Sequence, residues 1–355
     1  MQTIKRQQPD RPPIFATLTP QVADMLGKQM NMDPGAPIDS MLSTRISHAE
    51  LLTRLGNDCV GIAAGTSSEN PTQEHGDGTL TNEWGLRLKP IGHYAEFIEN
   101  PLANAESVSD LESFDWPDPN APGRYDAAEK IVQQYGEEYA VIGDIECSMF
   151  EMAWYMVGFD KFLMDLSLRQ SYVLEIMDRV LSYNISVGKK LIELGADVIW
   201  AGDDYGTQRG MLISPEMWRE LMKPRIRTMF NEFRRVKPDI KIAWHSCGSI
   251  LPIIEDFIEI GLDILNPIQP NAYGMEPQFL KDTYGDHLCF FGGVDVQQLL
   301  PFGTVEEVKD EVSRRIRILG RDGGYIVAPA HNIQPDTSVE NILAMYETVL
   351  SWGKV

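Results

Sequence analysis

Short apolar, often β-branched runs recur along this chain, each leading through a loop into a stretch whose apolar residues repeat at three- and four-residue spacing. The runs are Pro13–Ala16, Cys59–Ile62, Tyr139–Gly143, Asp197–Trp200, Ile240–Trp244, Asp263–Asn266, Leu288–Gly292 and Gly324–Val327. Between them lie amphipathic stretches such as Tyr125–Gln134, Phe162–Glu193, Pro215–Val236, Leu251–Ile260 and Val305–Leu319. Strands that alternate with helices pair in parallel through right-handed crossovers. Eight such units predict an α/β fold, a (β/α)8 TIM barrel, spanning 1–355 as one domain. A doubly wound sheet is the alternative, but no run opens into a Gly-x-Gly-x-x-Gly turn. Residues 78–120 break the rhythm. There, Gly78 through Lys89 read as a β-hairpin inserted after the second strand, and a Pro-rich stretch, Trp116-Pro117-Asp118-Pro119, returns the chain to the barrel.

Composition narrows the possible functions. With 355 residues and 43% hydrophobic content, the chain can bury a large core, yet no run approaches the ~20 apolar residues of a membrane span. A formal net charge of −21, spread along the chain, repels phosphate backbones and anionic lipid. Neither nucleic acid nor membrane is therefore an expected partner. The polar N-terminus, Met1–Pro9, has no apolar core of the secretory kind. The four cysteines, Cys59, Cys147, Cys247 and Cys289, are too scattered for a disulfide framework. A reducing, cytoplasmic setting is expected.

In a barrel, chemistry gathers where strands end. The expected strand ends carry Asp144-Ile145-Glu146-Cys147, Gly202-Asp203-Asp204-Tyr205, His245-Ser246-Cys247-Gly248, Asn266-Pro267-Ile268-Gln269, Gly292-Gly293-Val294-Asp295 and Pro329-Ala330-His331-Asn332. His245 and Cys247, two apart, point the same way and offer the nitrogen and sulfur that suit zinc. A catalytic zinc needs a third protein ligand, and His331 is the natural candidate. The other reading leaves His245 in a local hydrogen bond and Cys247 as a small packing residue. Glu146, Asp203 and Asp204 are candidates for acid–base work or for orienting substrate. Only one of the adjacent aspartates can face the mouth, and the other can order its loop. Trp200, Tyr205, Asn266, Gln269 and Asp295 are candidate substrate contacts, with core packing or helix capping as the plainer readings.

The chain resembles the uroporphyrinogen decarboxylase superfamily over nearly its whole length. The residues that carry the resemblance are Asn82-Glu83-Trp84-Gly85, Phe150 through Tyr155, Asp203-Asp204-Tyr205-Gly206 with Ile213 through Trp218, His245-Ser246-Cys247-Gly248, Gly293-Val294-Asp295, and Gly323 through Pro329 running into Asp336-Thr337. The resemblance implies a (β/α)8 barrel with a funnel-shaped mouth. It also separates two branches. True decarboxylases carry an Arg-Gln-Ala-Gly-Arg segment that binds substrate carboxylates, whereas here the stretch reads Phe15-Ala16-Thr17-Leu18-Thr19-Pro20 without an arginine. The chain is more similar to the cobalamin-dependent methyltransferases, which share the His-x-Cys pair and take a further zinc ligand from a Pro-Gly-Cys segment. The matching segment here is Pro329-Ala330-His331, so His331 stands in for that thiolate. A less anionic metal site holds a bound thiolate more tightly, which disfavours thiol methylation relative to ethers and amines.

Three functional readings follow. The first is a zinc methyltransferase moving a methyl group between a small methyl ether, amine or thiol and cobalamin. No Asp-x-His-x-x-Gly corrinoid-binding segment is present, so the cobalamin would come on a separate corrinoid protein. The second is a metal-free decarboxylase or lyase with an aspartate at the mouth. The third is a non-catalytic barrel that binds a small organic ligand. Superfamily barrels often pair, so a homodimer is a further expectation.

Overall fold

The computed structural model describes residues 1–37, 46–91 and 94–353. Its strands, in chain order, are β1 (Cys59–Ala63), β2 (Gln73–Glu74), β3 (Leu80–Thr81), β4 (Arg87–Ile91), β5 (Tyr94–Glu99), β6 (Ala140–Glu146), β7 (Val198–Gly202), β8 (Lys241–His245), β9 (Ile264–Ile268), β10 (Cys289–Val294) and β11 (Tyr325–Pro329). Seven of them form one parallel sheet in the order β1-β6-β7-β8-β9-β10-β11. Each sits where an apolar run predicted a strand.

The first run behaves differently. Ile14 makes an isolated parallel bridge to Val327, and Leu18 makes one to Ile333. The Phe15 N–H donates to the Val327 carbonyl at 3.1 Å, and the Ile14 carbonyl accepts from Asp58 N–H at 2.9 Å. The segment therefore bonds to Val327 of β11 on one side and to Asp58, just ahead of β1, on the other, without a continuous ladder.

Alternation along the strands sorts side chains between two layers. Ile142, Val198, Trp200, Ala243, Ile264, Phe291 and Ile326 share one buried interior cluster. Their neighbours Val141, Ile199, Ile242, Leu265, Phe290 and Val327 pack outward against the helices. The helices start where capping chemistry places them. Thr304 and Glu307 form a reciprocal capping box ahead of helix Val305–Leu319. Ser214 accepts from Met217 N–H ahead of Pro215–Leu221, whose proline occupies the first turn. No helix among the described residues is long and apolar enough to cross a membrane.

The insertion begins earlier than the sequence suggests and is larger than one hairpin. Strands β2 to β5 form a four-stranded antiparallel sheet in sequential order. Residues 92 and 93, within the expected 78–120 insertion, lie outside the described residues. Contacts with the helix after β6 and with the segment that leads back to β6 tie the insertion down. Phe97 stacks on Tyr155 with centroids 4.3 Å apart, and Glu83 takes a two-pronged ion pair from Arg124, both bonds 2.7 Å.

Candidate metal centre

Parallel register brings the chemistry-bearing positions to one level. Glu146 pairs with Gly202, Gly202 with His245, and His245 with Asn266. Beyond the ladder, the Asp203 N–H still donates to the His245 carbonyl at 3.1 Å, which extends the strand direction into the acidic pair. The loops after β7 and β8 then close on each other at two glycines. Gly248 holds φ at +78°, and a Cβ there would lie 2.5 Å from the Gly206 carbonyl carbon. Any side chain at that contact would push the Asp204 loop away from Cys247.

Three ligand-capable groups converge at this level. One oxygen of Asp204, one ring nitrogen of His245 and the Cys247 sulfur all lie within 4.8 Å of one another. His245 Nε2 is 3.4 Å from the Cys247 sulfur and 3.6 Å from Asp204 Oδ1. The same Asp204 oxygen accepts the Cys247 N–H at 2.6 Å, which fixes the carboxylate beside the thiol.

The tautomer of His245 follows from its other neighbours. Trp200 Nε1–H, which can only donate, points at Asn266 Oδ1 from 3.2 Å. Asn266 Nδ2 donates to the Phe291 carbonyl at 3.2 Å. The amide oxygen therefore faces His245 Nδ1, 2.7 Å away, and that nitrogen must carry the proton. Nε2 is turned toward Cys247 and Asp204. This is how a metal-ligating imidazole is held. Asn266 is thus the positioning partner of His245 in place of the substrate contact expected for it. An Asn266→Leu variant is expected to bind zinc roughly 10–100-fold more weakly, the range for loss of such a partner. Competition against a chromophoric chelator would measure the change.

The two aspartates have separate fates. Asp203 is fully buried, and its Oδ1 accepts the N–H groups of Met149 at 3.2 Å and Glu151 at 3.0 Å. Its Oδ2 takes the Tyr205 hydroxyl at 3.2 Å. Burial raises its pKa to about 7, against the lowering effect of those backbone donors. Asp203 anchors the start of helix Phe150–Val157, and Asp204 is the aspartate of the cluster.

Helix Phe150–Val157 contributes a further carboxyl, Glu151, which is not among the candidate site residues read from the sequence. Glu151 is buried; its Oε2 accepts the Asp204 N–H at 3.0 Å and its Oε1 the Tyr155 hydroxyl at 3.1 Å. Burial, followed by the charges of Asp204, Asp203 and Glu146, pushes its pKa well up. Burial and then Asp204, Glu151 and Glu146 do the same to the Cys247 thiol. Glu146 ends β6 on this acidic side, half-buried. The sequence signal for Glu151 is its four-residue spacing from Tyr155 on one helix face.

The other expected site residues fall in three places. Trp200 is buried in the interior beneath His245, its ring 6.1 Å from the imidazole. Tyr205 is fully buried, parallel to Trp244 at 6.3 Å, so it packs and braces Asp203 in place of the expected substrate contact. Gln269, Asp295 and His331 line a polar cavity of about 500 Å³ together with Gln208, Asn271 and Asn332. Gln269 reaches back from that cavity, its Oε1 accepting the Gly248 N–H at 2.9 Å. Asp295 caps the turn after β10, accepting from Gln297 N–H at 2.7 Å. His331 is exposed and is not among the groups converging on His245; Asp204 holds the position expected for it.

The family model described as Uroporphyrinogen decarboxylase (URO-D) matches residues 83–352. The chain belongs to the uroporphyrinogen decarboxylase family. Among solved structures, this family member is similar to a methyltransferase from Methanosarcina mazei, with 19% identity, a TM-score of 0.72, and coverage of 99% of this chain and 96% of that one. A B12-independent methionine synthase from Shewanella sp. W3-18-1 also matches, at 11% identity, a TM-score of 0.46, and 85% and 83% coverage. The first likeness establishes a shared fold, and the second is too distant to weigh. No curated protein sequence matches the chain.

Proposed function

We propose that this protein is a zinc-dependent methyltransferase that moves a methyl group between a small organic substrate and a corrinoid carried by a separate protein. The convergence of Asp204, His245 and Cys247, with His245 Nε2 turned inward and Nδ1 held by Asn266, is the observation that carries the reading. Nitrogen, sulfur and carboxylate oxygen are each zinc ligands, and three of them leave a fourth position open for substrate. Zinc held there supplies a Lewis acid at the substrate heteroatom.

The protein's own groups do the rest. Asn266 keeps the proton on His245 Nδ1. Glu151 and the Cys247 N–H hold Asp204 from two sides. Glu146 is proposed to position substrate or handle its proton. The polar cavity of Gln269, Asp295 and His331 is proposed to receive the substrate's polar groups. Having Asp204 in place of His331 changes the expected chemistry. Carboxylate and thiolate together offset the two positive charges of zinc, so the objection to a thiol acceptor falls away, and thiols stand beside methyl ethers and amines. The same reading takes the sheet as seven strands of a closed (β/α)8 barrel. The hydrogen bonds of Phe15 to Val327 of β11 and of Ile14 to Asp58, just ahead of β1, support Pro13–Leu18 as the closing segment.

The test is spectrophotometric. Zinc-loaded protein would be mixed with cob(I)alamin and a panel of methyl ethers and methylamines, or with methylcobalamin and thiols. The expected result is interconversion of cob(I)alamin and methylcobalamin that stops on chelation and returns with zinc. Chelator-insensitive carbon dioxide release from a carboxylate substrate would replace this reading with a decarboxylase. Tight ligand binding without any product would replace it with a binding barrel.

A further inference from the structure

The strand-start end of the sheet interior is hollow. Barrel interiors of this class are normally filled by layers of bulky branched side chains. Here the strand starts contribute the small residues Cys59 and Ala140, and Ala243 follows in the next layer. Between them and Ile142, Val198 and Ile264 lies a cavity of about 520 Å³. That volume falls within the roughly 300–1,000 Å³ of small-molecule sites.

The chemistry of the wall is one-sided. Trp200 and Phe291 line it with rings 5.1 Å apart, and Phe15 backs both rings from 6.0 Å. The polar and charged lining residues, Gln2, Thr3, Asp10, Arg11 and Asp58, all come from segments preceding the strands, so the strand wall itself is apolar. Arg11 is already matched to Asp58 by two bonds of 2.8 Å. A charged ligand would lose its water against the apolar strand wall of Ile142, Val198, Trp200, Ala243, Ile264, Phe291 and Ile326. A flat apolar molecule would gain dispersion contacts that an unfilled cavity forfeits.

We propose that this chamber is a binding site for a neutral aromatic small molecule, distinct from the metal cluster and linked to it through Trp200. The occupant would lie against the Trp200 ring, whose Nε1–H donates to Asn266, the residue that orients His245. Binding in the chamber and zinc binding are therefore coupled, and the coupling acts equally in both directions.

Indole is the probe, measured by calorimetry on the purified protein and paired with a crystal of the same protein under xenon pressure. The expected results are one equivalent of bound indole and xenon density among Ala140, Ala243 and Trp200. Ala140→Phe and Ala243→Phe, which fill the chamber from different heights, are expected to weaken indole binding at least tenfold while zinc content stays at the wild-type level. Trp200→Phe is expected to retain indole but to remove its effect on zinc affinity. Absence of both xenon and indole from the wild-type chamber would overturn the proposal, as would undiminished indole binding in the folded filled variants. Zinc affinity equally responsive to indole in Trp200→Phe would overturn the link. The occupancy readouts need no enzyme activity, so they fail or succeed independently of the methyltransferase reading.

Discussion

A His245→Ala protein is expected to purify with only traces of zinc and to lose methyl transfer by more than about two orders of magnitude, because loss of even an outer-shell partner costs 10–100-fold in affinity or activity. His245 is the hinge of the cluster. It reaches Cys247 at 3.4 Å and Asp204 at 3.6 Å through the same nitrogen, and Asn266 spends its amide oxygen on orienting the opposite one. Removing the imidazole leaves a thiol and a carboxylate, too few ligands for a closed set with one open position. Elemental analysis of the purified variant gives the first reading and the cobalamin absorbance assay the second. The fold should survive, since the deleted ring lies at the strand end and the neighbouring ladder is made by backbone groups. A variant that retained stoichiometric zinc would remove His245 from the centre altogether.

The second large effect concerns stability. Glu83→Ala is expected to cost about 3–5 kcal/mol of unfolding free energy, the range for breaking a buried ion pair by removing one partner. The Arg124 side chain is 1% exposed and that of Glu83 10%. Arg124 also donates to the carbonyls of Asp118 and Gly65, so it is pinned in place and cannot turn to water when its carboxylate is gone. The pair joins the insertion to the segment that leads back into the main sheet. Chemical denaturation of the single variant measures the cost. The double variant Glu83→Ala with Arg124→Met, which no longer buries a lone charge, is expected to recover part of it. A cost below 1 kcal/mol in the single variant would show that solvent reaches Arg124.

Much of the architecture was legible because burial on both faces writes itself into a parallel strand as a continuous apolar run. Cys59–Ala63, Val198–Gly202 and Ile264–Ile268 are all buried along their full length. Pro13–Ala16 has the same composition, yet it makes isolated bridges, because pairing depends on neighbours that a local pattern cannot register. The insertion was harder to delimit. Two of its strands are only two residues long, too short for alternation to show.

The site was legible at His245 and Cys247, where two-residue spacing at a strand end decides direction. The third member was not. Asp203 and Asp204 are indistinguishable by type, and their separation rests on Asp203 receiving backbone donors from a helix more than fifty residues earlier in the chain. His331 drew attention through its place in a motif. The loop contact at Gly206 and Gly248, which presses Asp204 against Cys247, leaves its sequence trace only as two glycines. Asn266 was singled out, but its task depends on three partners on β7, β8 and β10.

X-ray absorption at the zinc edge, on wild-type protein and on Asp204→Ala and His331→Ala variants, tests the centre most directly. The expected wild-type shell holds one sulfur at about 2.3 Å with nitrogen and oxygen at roughly 2.0–2.2 Å, including a single imidazole. That shell should be unchanged in His331→Ala and should lose a ligand in Asp204→Ala. A shell without sulfur, or one with two imidazoles that collapses in His331→Ala and persists in Asp204→Ala, would contradict a centre built on Asp204, His245 and Cys247.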